Sequence, residues 1–182
     1  MLRSIFISML LLGYSLYCNA QNKQIENLTK FMQTKFDSCV VYYSYSNWIH
    51  PPNFLIIGKS KDKICYYSYK PPINNKTVIS DTSTYLSSYN PKKERNYWGQ
   101  LFSTDIWIID NYVKKRLQIH TDSSVITYFI ADGDQHDFYL ITKYNIRKLH
   151  FYAPGFYNEH LPDKKLQPAL NAINVFNKIF LY

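Results

Sequence analysis

Residues 53–69 read NFLIIGKSKDKICYYSY and contain the strongest fold signal in the chain. Residues 53–57 and 63–69 are rich in the branched and aromatic side chains that favour β-strands. Between them, residues 58–62 form a short polar segment with one glycine. Two such runs joined in this way are typical of a β-hairpin. We therefore expect antiparallel β-structure at the centre of the fold.

Comparable strand-like segments recur on both sides of this hairpin. Asp132-Gly133 is a dipeptide that tight two-residue turns favour, so we expect the strands before and after it to pair. Pro154-Gly155 is expected to end the last strand. The further segments predicted as strands are residues 39–46, 77–79, 105–109, 112–120, 125–131, 137–142 and 146–152.

Two segments have helical periodicity instead. Ile25, Leu28, Met32 and Phe36 recur at helical spacing and predict a helix over residues 22–37. Near the C-terminus a second apolar stripe follows Pro168, a residue suited to the first turn of a helix. The apolar residues of that stripe are Ala169, Leu170, Ile173, Phe176, Ile179 and Phe180.

These segments together predict the fold class and the domain organisation. We expect a single α+β domain over residues 21–182, with no internal repeat or linker. It should contain an antiparallel sheet of about seven to eight short strands, with an N-terminal and a C-terminal helix.

Residues 1–20 have the features of a cleavable signal peptide. Arg3 supplies the positive start, and residues 5–12 form an apolar run broken only by Ser8. Cys18-Asn19-Ala20 places small residues before a cut after Ala20, so the mature chain should begin at Gln21. We expect an exported protein, either secreted or periplasmic.

Two alternatives to cleavage remain open. The apolar run could stay as an uncleaved anchor, although spanning a bilayer takes roughly 18 or more apolar residues. Lipid could instead be attached at Cys18, although Tyr17 and Ser15 stand where a small residue and leucine are usual for that signal. No later stretch is long and apolar enough to cross a membrane, so we expect no transmembrane segment in the mature chain.

The chain is basic, and this bears on its partners. The 21 Lys and Arg residues outnumber the 13 Asp and Glu residues, and loss of Arg3 with the signal leaves a net charge of about +7. Such a charge can attract anionic partners over a distance. However, the lysines are scattered in short clusters along the chain, which is typical of solvated surface. We do not expect nucleic acid; a protein or a glycan at the cell envelope is the partner class that fits.

Two cysteines, Cys39 and Cys65, remain after the signal is removed. An even number in an oxidising compartment suggests a disulfide. If they lie on the first and third strands of a meander, a strand separates them by roughly 9–10 Å, beyond the roughly 7 Å that a bridge spans. Both outcomes stay open, the alternative being two buried thiols.

The common catalytic and cofactor motifs are absent from the sequence. It contains no Gly-rich phosphate loop, no Gly-x-Ser-x-Gly, no His-Glu-x-x-His, no Cys-x-x-Cys and no calcium loop. We therefore predict no cofactor. His150, set among apolar residues of a predicted strand, is expected to be structural.

One polar cluster is a candidate site. Asp132, Asp134 and His136 lie close together with Asp137, and His120 sits before a neighbouring turn. Carboxylates and imidazoles at this density could bind a divalent cation or act as acid and base. The alternative is a solvated hairpin tip, which also requires polar residues.

Tyrosines form the second candidate site, since the chain contains 18 of them. Some of those on the predicted strands should face away from the core, unless helices cover both sides of the sheet. Exposed tyrosines beside lysines could bind a sugar or a protein, and cross-strand pairing is the alternative. The candidate binding residues are Tyr43, Tyr45, Trp48, Tyr67 and Tyr69.

These observations favour a small exported module that binds without catalysing a reaction. The alternative is an exported hydrolase or metal-binding protein that uses the region of residues 132–137 and His120.

Overall fold

A computed structural model of the protein describes residues 23–45, 53–71, 82–91, 95–111, 117–120, 123–128, 130, 133–160 and 162–180. The predicted signal peptide of residues 1–20, with Cys18, lies outside the described residues. So do Trp48, Asp132 and the predicted strand 77–79.

The described chain contains four α-helices and eight strands. The helices are α1 (residues 23–35), α2 (Tyr97–Phe102), α3 (Pro154–His160) and α4 (Gln167–Phe180). The strands are β1 (Ser38–Tyr45), β2 (Phe54–Ser60), β3 (Lys63–Tyr69), β4 (Leu86–Ser88), β5 (Leu117–His120), β6 (Val125–Tyr128), β7 (Gln135–Thr142) and β8 (Ile146–Tyr152). A 3₁₀ turn at Thr82–Tyr85 precedes β4.

The main sheet is antiparallel and has six strands in the order β4-β3-β2-β1-β7-β8. Strands β5 and β6 pair with each other in a separate two-stranded ladder. The α+β class and the antiparallel sheet are therefore confirmed. The expectation of one sheet of about seven to eight strands is met only roughly, because two of the strands form their own ladder.

The predicted central hairpin is β2–β3, but its turn is shorter than expected. Both strands extend inward to Ser60 and Lys63, which leaves only Lys61 and Asp62 between them. Lys61 takes a left-handed φ of 51°, and its N–H donates to the Asp37 carboxylate at 2.7 Å. A side chain from the end of α1 thus stabilises the turn.

Gly58 lies within β2 and not in the turn where the sequence placed it. A Cβ atom at this position would lie 2.7 Å from ring carbons of Phe36. The absence of a side chain therefore lets the Phe36 ring at the end of α1 pack directly against the sheet.

Two local expectations are wrong, and a third is met but is incomplete. Strand β7 lies between β1 and β8, so no hairpin joins it to β6 across Asp132-Gly133. Residues 105–109 lie in the turns that follow α2, where Asp105 has a φ of 61°. Pro154 ends β8 as expected but also begins α3, since a proline lacks the N–H that a first helical residue leaves unpaired anyway.

Helices cover both faces of the sheet, and this explains the apolar character of the central strand. On β1, Val40 and Tyr42 pack in a core with residues of α2, α3 and α4. Cys39, Val41 and Tyr43 point the other way into a second core under α1. Because alternate residues face opposite sides, every residue from Cys39 to Tyr43 is buried.

Candidate functional site

The predicted tyrosine site is not a continuous exposed patch. Tyr43 and Tyr69 are only 5% and 2% exposed, packed in the core under α1. Tyr45 and Tyr67 are half-buried at the margin of the same core. The expectation of exposure is wrong for Tyr43 and Tyr69, because α1 covers the sheet face on which they lie.

Ring contacts account for most of these aromatic residues. Tyr43 stacks on Tyr45 at 4.9 Å and on Phe54 at 4.7 Å between centroids. Phe54 also contacts Tyr69 at 5.9 Å. Such pairs across neighbouring strands stabilise a sheet, so the alternative interpretation holds for this part of the set. Of the described residues in this set, Tyr67 also lines a cleft.

The described polar residues of the segment 132–137 do not form one cluster, because neighbouring residues of β7 face opposite sides of the sheet. His136 faces the α4 side, where its Nδ1 lies 2.8 Å from the Tyr42 hydroxyl. Asp137 is the next residue and faces the opposite side, as alternation on a strand requires. Asp134 is exposed, and His120 ends β5 in the separate ladder. Within the described ranges, no three His, Cys, Asp or Glu side chains are arranged to hold a metal ion.

A different group of charged residues forms around Asp137. Its carboxylate accepts from His150 Nδ1 at 2.5 Å and from Lys148 Nζ at 2.9 Å. The Asp137 side chain is 5% exposed, whereas Lys148 is 50% exposed. Burial lowers the pKa of Lys148, but the bond to Asp137 and its charge outweigh this effect, so the pKa lies above its ordinary value.

The Asp137–His150 pair was missed because it depends on strand register. The two residues are directly opposite each other on β7 and β8. Counting back equally from the predicted strand ends at Thr142 and Ile146 would have placed Phe151 opposite Asp137, one residue away from the observed register. An aspartate that orients a histidine also occurs in catalytic triads. However, the two clefts described below are lined by none of the residues Asp137, Lys148 and His150.

The larger cleft runs along the outer edge of β3 and has a volume of about 930 Å³. We call it the edge cleft. It is lined by residues 63–67 of β3, by residues 88–91 after β4, and by Arg95 and Asn96 before α2. Sequence reasoning identified only Tyr67 of these residues as a binding candidate. The signal that could have identified more is the proline of Asn90-Pro91.

Strand pairing explains why the edge cleft exists. Strand β4 covers only Tyr67 to Tyr69 of β3. The Tyr89 N–H then donates to the Tyr66 carbonyl at 2.9 Å. In the same register the next partner, opposite Ile64, would be Pro91, which has no N–H to donate. The ladder ends there and leaves the first half of β3 uncovered by β4.

The side chains of the edge cleft are aromatic and basic. Tyr66 lies on the α4 side, edge-on to Tyr97 at 6.3 Å between centroids. Tyr67 lies on the α1 side, with Lys35 Nζ 4.7 Å from its ring centroid. Lys63 and Arg95 are exposed cations, and among the residues that the structure describes no aspartate or glutamate lines the cleft. Its surface is therefore suited to a ligand with negative charge.

Cys65 also lines the edge cleft and is a half-buried free thiol. It is opposite Gly58, which on its other side is opposite Cys39. One strand therefore separates the two cysteines by about 9–10 Å, and both are free. The predicted disulfide is not formed, for the geometric reason that the sequence analysis raised.

A smaller cleft of about 380 Å³ lies beside His136, between the end of β8 and α4. Phe156, Leu170 and Ile173 supply its apolar wall. Burial lowers the pKa of His136 to about 4, so the imidazole is neutral near pH 7. Neutral His136 forms a hydrogen bond with Tyr42, which is part of the core.

No helix in the described ranges has the length and apolar character needed to span a membrane. Comparison with models of known protein families finds no match, and comparisons with curated proteins and with solved structures find none either. The candidate site of this chain is therefore argued from its own geometry, and that geometry points to the edge cleft.

Proposed function

We propose that the protein is an exported module that binds an anionic ligand in the edge cleft and catalyses no reaction. The observation that carries this proposal is the composition of the cleft: its described lining residues include tyrosines and cations around about 930 Å³ and contain no acidic residue. Ligand sites commonly enclose roughly 300–1,000 Å³. The volume is thus adequate for a peptide segment or a short glycan.

The chemistry of the lining residues supports the same proposal. Tyr66, Tyr67 and Tyr89 combine an apolar ring with a polar hydroxyl, the combination favoured at interfaces. Lys63 and Arg95 add positive charge, and the net charge of the whole chain would speed the approach of an anion. A protein or a glycan at the cell envelope remains the proposed partner class.

The hydrolase or metal-binding alternative has less support. It required residues 132–137 to act together, but His136 and Asp137 face opposite sides of the sheet. The carboxylate of Asp137 is engaged by Lys148 and His150. Binding in the edge cleft therefore accounts for more of the described geometry.

Export is the second part of the proposal, and it has its own test. The support is the Arg3 start, the apolar run and the small residues before Gln21. Expression of the full chain followed by N-terminal sequencing of the exported form should return Gln21 as the first residue. An intact Met1, or a lipid-modified Cys18, would contradict cleavage after Ala20.

Protection of Cys65 from alkylation tests binding in the cleft. Poly-L-glutamate and a heparin oligosaccharide serve as anionic probes, and the rate of alkylation is measured by mass spectrometry. We expect at least one probe to slow the reaction of Cys65. The variant Lys63→Gln/Arg95→Gln should lose this protection.

The matched control is Lys164→Gln/Lys165→Gln, which removes the same charge from exposed residues outside the cleft. It should keep the protection. If neither probe protects Cys65, or if the control variant loses as much protection as the cleft variant, the proposed function is wrong.

A further inference from the structure

The backbone of β3 alternates between its two neighbours, and this decides which groups face the edge cleft. In a two-residue hairpin, Ser60 and Lys63 form the closing hydrogen-bonded pair. Odd-numbered residues of β3 therefore bond to β2, and Ile64, Tyr66 and Ser68 present N–H and C=O groups outward. The bond from the Tyr89 N–H to the Tyr66 carbonyl is on this outer side.

The outward groups of Ile64 are not bonded along this edge. Ser68 is opposite Ser87 of β4, and the Tyr66 carbonyl is used by Tyr89. Continued past β4, the same register would bring Pro91 opposite Ile64, and a proline cannot donate. Among the described residues, no backbone bond closes on Ile64 from the outer side. Open strand edges of this kind are templates for the addition of another strand.

We propose that the ligand of the edge cleft is an extended acidic peptide that adds to β3 as a strand and pairs with Ile64. This inference rests on the proposed function and names its ligand class. Main-chain hydrogen bonds would supply affinity, while side-chain contacts would supply selectivity. The incoming strand would continue the β3 edge beyond the point where Pro91 ends the existing ladder.

The placement of the lining side chains favours a peptide over a glycan. Ile64 and Tyr66 lie on one face of β3, and Cys65 and Tyr67 lie on the other. A strand projects its own side chains alternately to both faces, so it can contact both pairs at once. A sugar ring stacks on one aromatic face and would use only one of them.

Charge defines the peptide further and argues against a second copy. Lys63 and Arg95 have no acidic neighbour among the described lining residues, so carboxylates of the peptide would be attracted there. Two copies that paired through this edge would instead bring the same cations together, at a mature net charge of about +7 each. Acidic side chains of the peptide would therefore complement the positive charge of the cleft.

The test compares probes that share charge but differ in backbone. The first is a capped peptide of about eight residues that alternates glutamate and valine, a length suited to one strand. The second is the same peptide with alternate amides N-methylated, which retains its carboxylates but cannot pair along one edge. Affinity is measured by calorimetry, and hydrogen exchange reports on the Ile64 amide.

We expect the unmodified peptide to bind and to slow exchange of the Ile64 amide. The N-methylated peptide should bind about tenfold or more weakly, since it loses main-chain hydrogen bonds to β3. Ile64→Pro removes one outward donor without removing a bond to β2 and should weaken binding to a similar degree. Ile64→Val is its matched control and should bind as the unchanged protein does.

The outcomes separate this inference from the proposed function. If both peptides and the heparin oligosaccharide bind with equal affinity, the strand-addition proposal is overturned while binding in the cleft stands. If no probe binds, both fail. Self-association of the protein without peptide, lost in Ile64→Pro, would show a second copy as the occupant and would also overturn the inference.

Discussion

Gly58 and Phe36 form the contact through which α1 meets the sheet. The Phe36 ring occupies the position that a side chain on Gly58 would need, and it is itself 4% exposed in the core. We predict that Gly58→Ala destabilises the protein by about 1–3 kcal/mol, the usual cost of overpacking. Urea denaturation of the variant and the unchanged protein measures this difference.

Gly155 supplies the matched control for that substitution. It lies in α3, and a Cβ atom there would meet nothing within 4 Å. Gly155→Ala should be neutral or stabilising by up to about 1 kcal/mol. Equal destabilisation by the two substitutions would contradict the packing that we assign to Phe36.

Asp137 is a buried carboxylate that two partly exposed side chains, those of Lys148 and His150, engage. Its replacement by alanine would remove the acceptor for both, although Lys148 and His150 can be partly rehydrated at the surface. We therefore predict a loss of about 1–3 kcal/mol, below the cost of leaving a fully buried charge unpaired. Thermal and chemical denaturation measure it, with Asp110→Ala, an exposed residue, as control.

The lowered pKa of His136 predicts that the stability of the protein depends on pH. Burial lowers the pKa of this histidine from 6.5 to about 4 in the folded protein. Between these values the unfolded chain binds a proton that the folded chain does not, so stability falls as the pH decreases from about 6.5 to about 4. The loss from this residue should be on the order of 3 kcal/mol at most.

The variant His136→Gln isolates this effect, because glutamine can keep a hydrogen bond to Tyr42 but does not titrate. Asp134, Asp137 and His150 also influence the charge at this position and remain in both proteins. The free energy of unfolding, measured at pH 7 and pH 4.5, should decrease less in the variant. An identical decrease would show that His136 does not titrate in this way.

At the scale of elements, strand order determines that the two cysteines lie too far apart to form a disulfide. Cys39 on β1 and Cys65 on β3 are separated by β2, and burial raises the pKa of the Cys39 thiol. We predict that maleimide labels Cys65 in the folded protein but reaches Cys39 only after unfolding. Mass spectrometry without reductant should show two free thiols in the mature chain. A mass about 2 Da lower, with no labelling, would instead indicate a disulfide.

Local sequence features predicted the strands and hairpins whose contacts are close in the chain. The β2–β3 hairpin was identified because apolar runs flank a short polar turn, and β7 and β8 were each predicted as separate strands. The pairing of β7 was predicted wrongly. This strand pairs with β1 across about ninety intervening residues, and the local Asp-Gly dipeptide could not indicate this partner. Short helices such as α2 were missed because six residues give too little periodicity.

The candidate site was predictable only in part, for a similar reason. Tyr67 and the basic character of the surface were visible in the sequence. The burial of Tyr43 and Tyr69 was not, because it depends on α1 packing over that face of the sheet. The edge cleft itself depends on the register of β4, which if continued would bring Pro91 opposite Ile64.

For the molecule as a whole, helices on both faces leave the sheet little free surface for binding. Cores lie on each side of β1, and their helices bury Tyr43 and Tyr69 of the aromatic residues that the sequence suggested as a binding surface, while Tyr45 and Tyr67 are half-buried. What remains open is an edge, where β3 extends past β4 and basic residues gather. The central claim is that this edge, and not the basic surface in general, binds anionic ligands.

Amide chemical-shift mapping with poly-L-glutamate tests that claim most directly. The account predicts saturable shifts confined to residues 63–67, 88–90 and 95–96 of the edge cleft. The exposed lysines 164 and 165 should show no comparable change. Shifts spread evenly over the lysine-bearing surface, or no shifts within the cleft, would contradict the account.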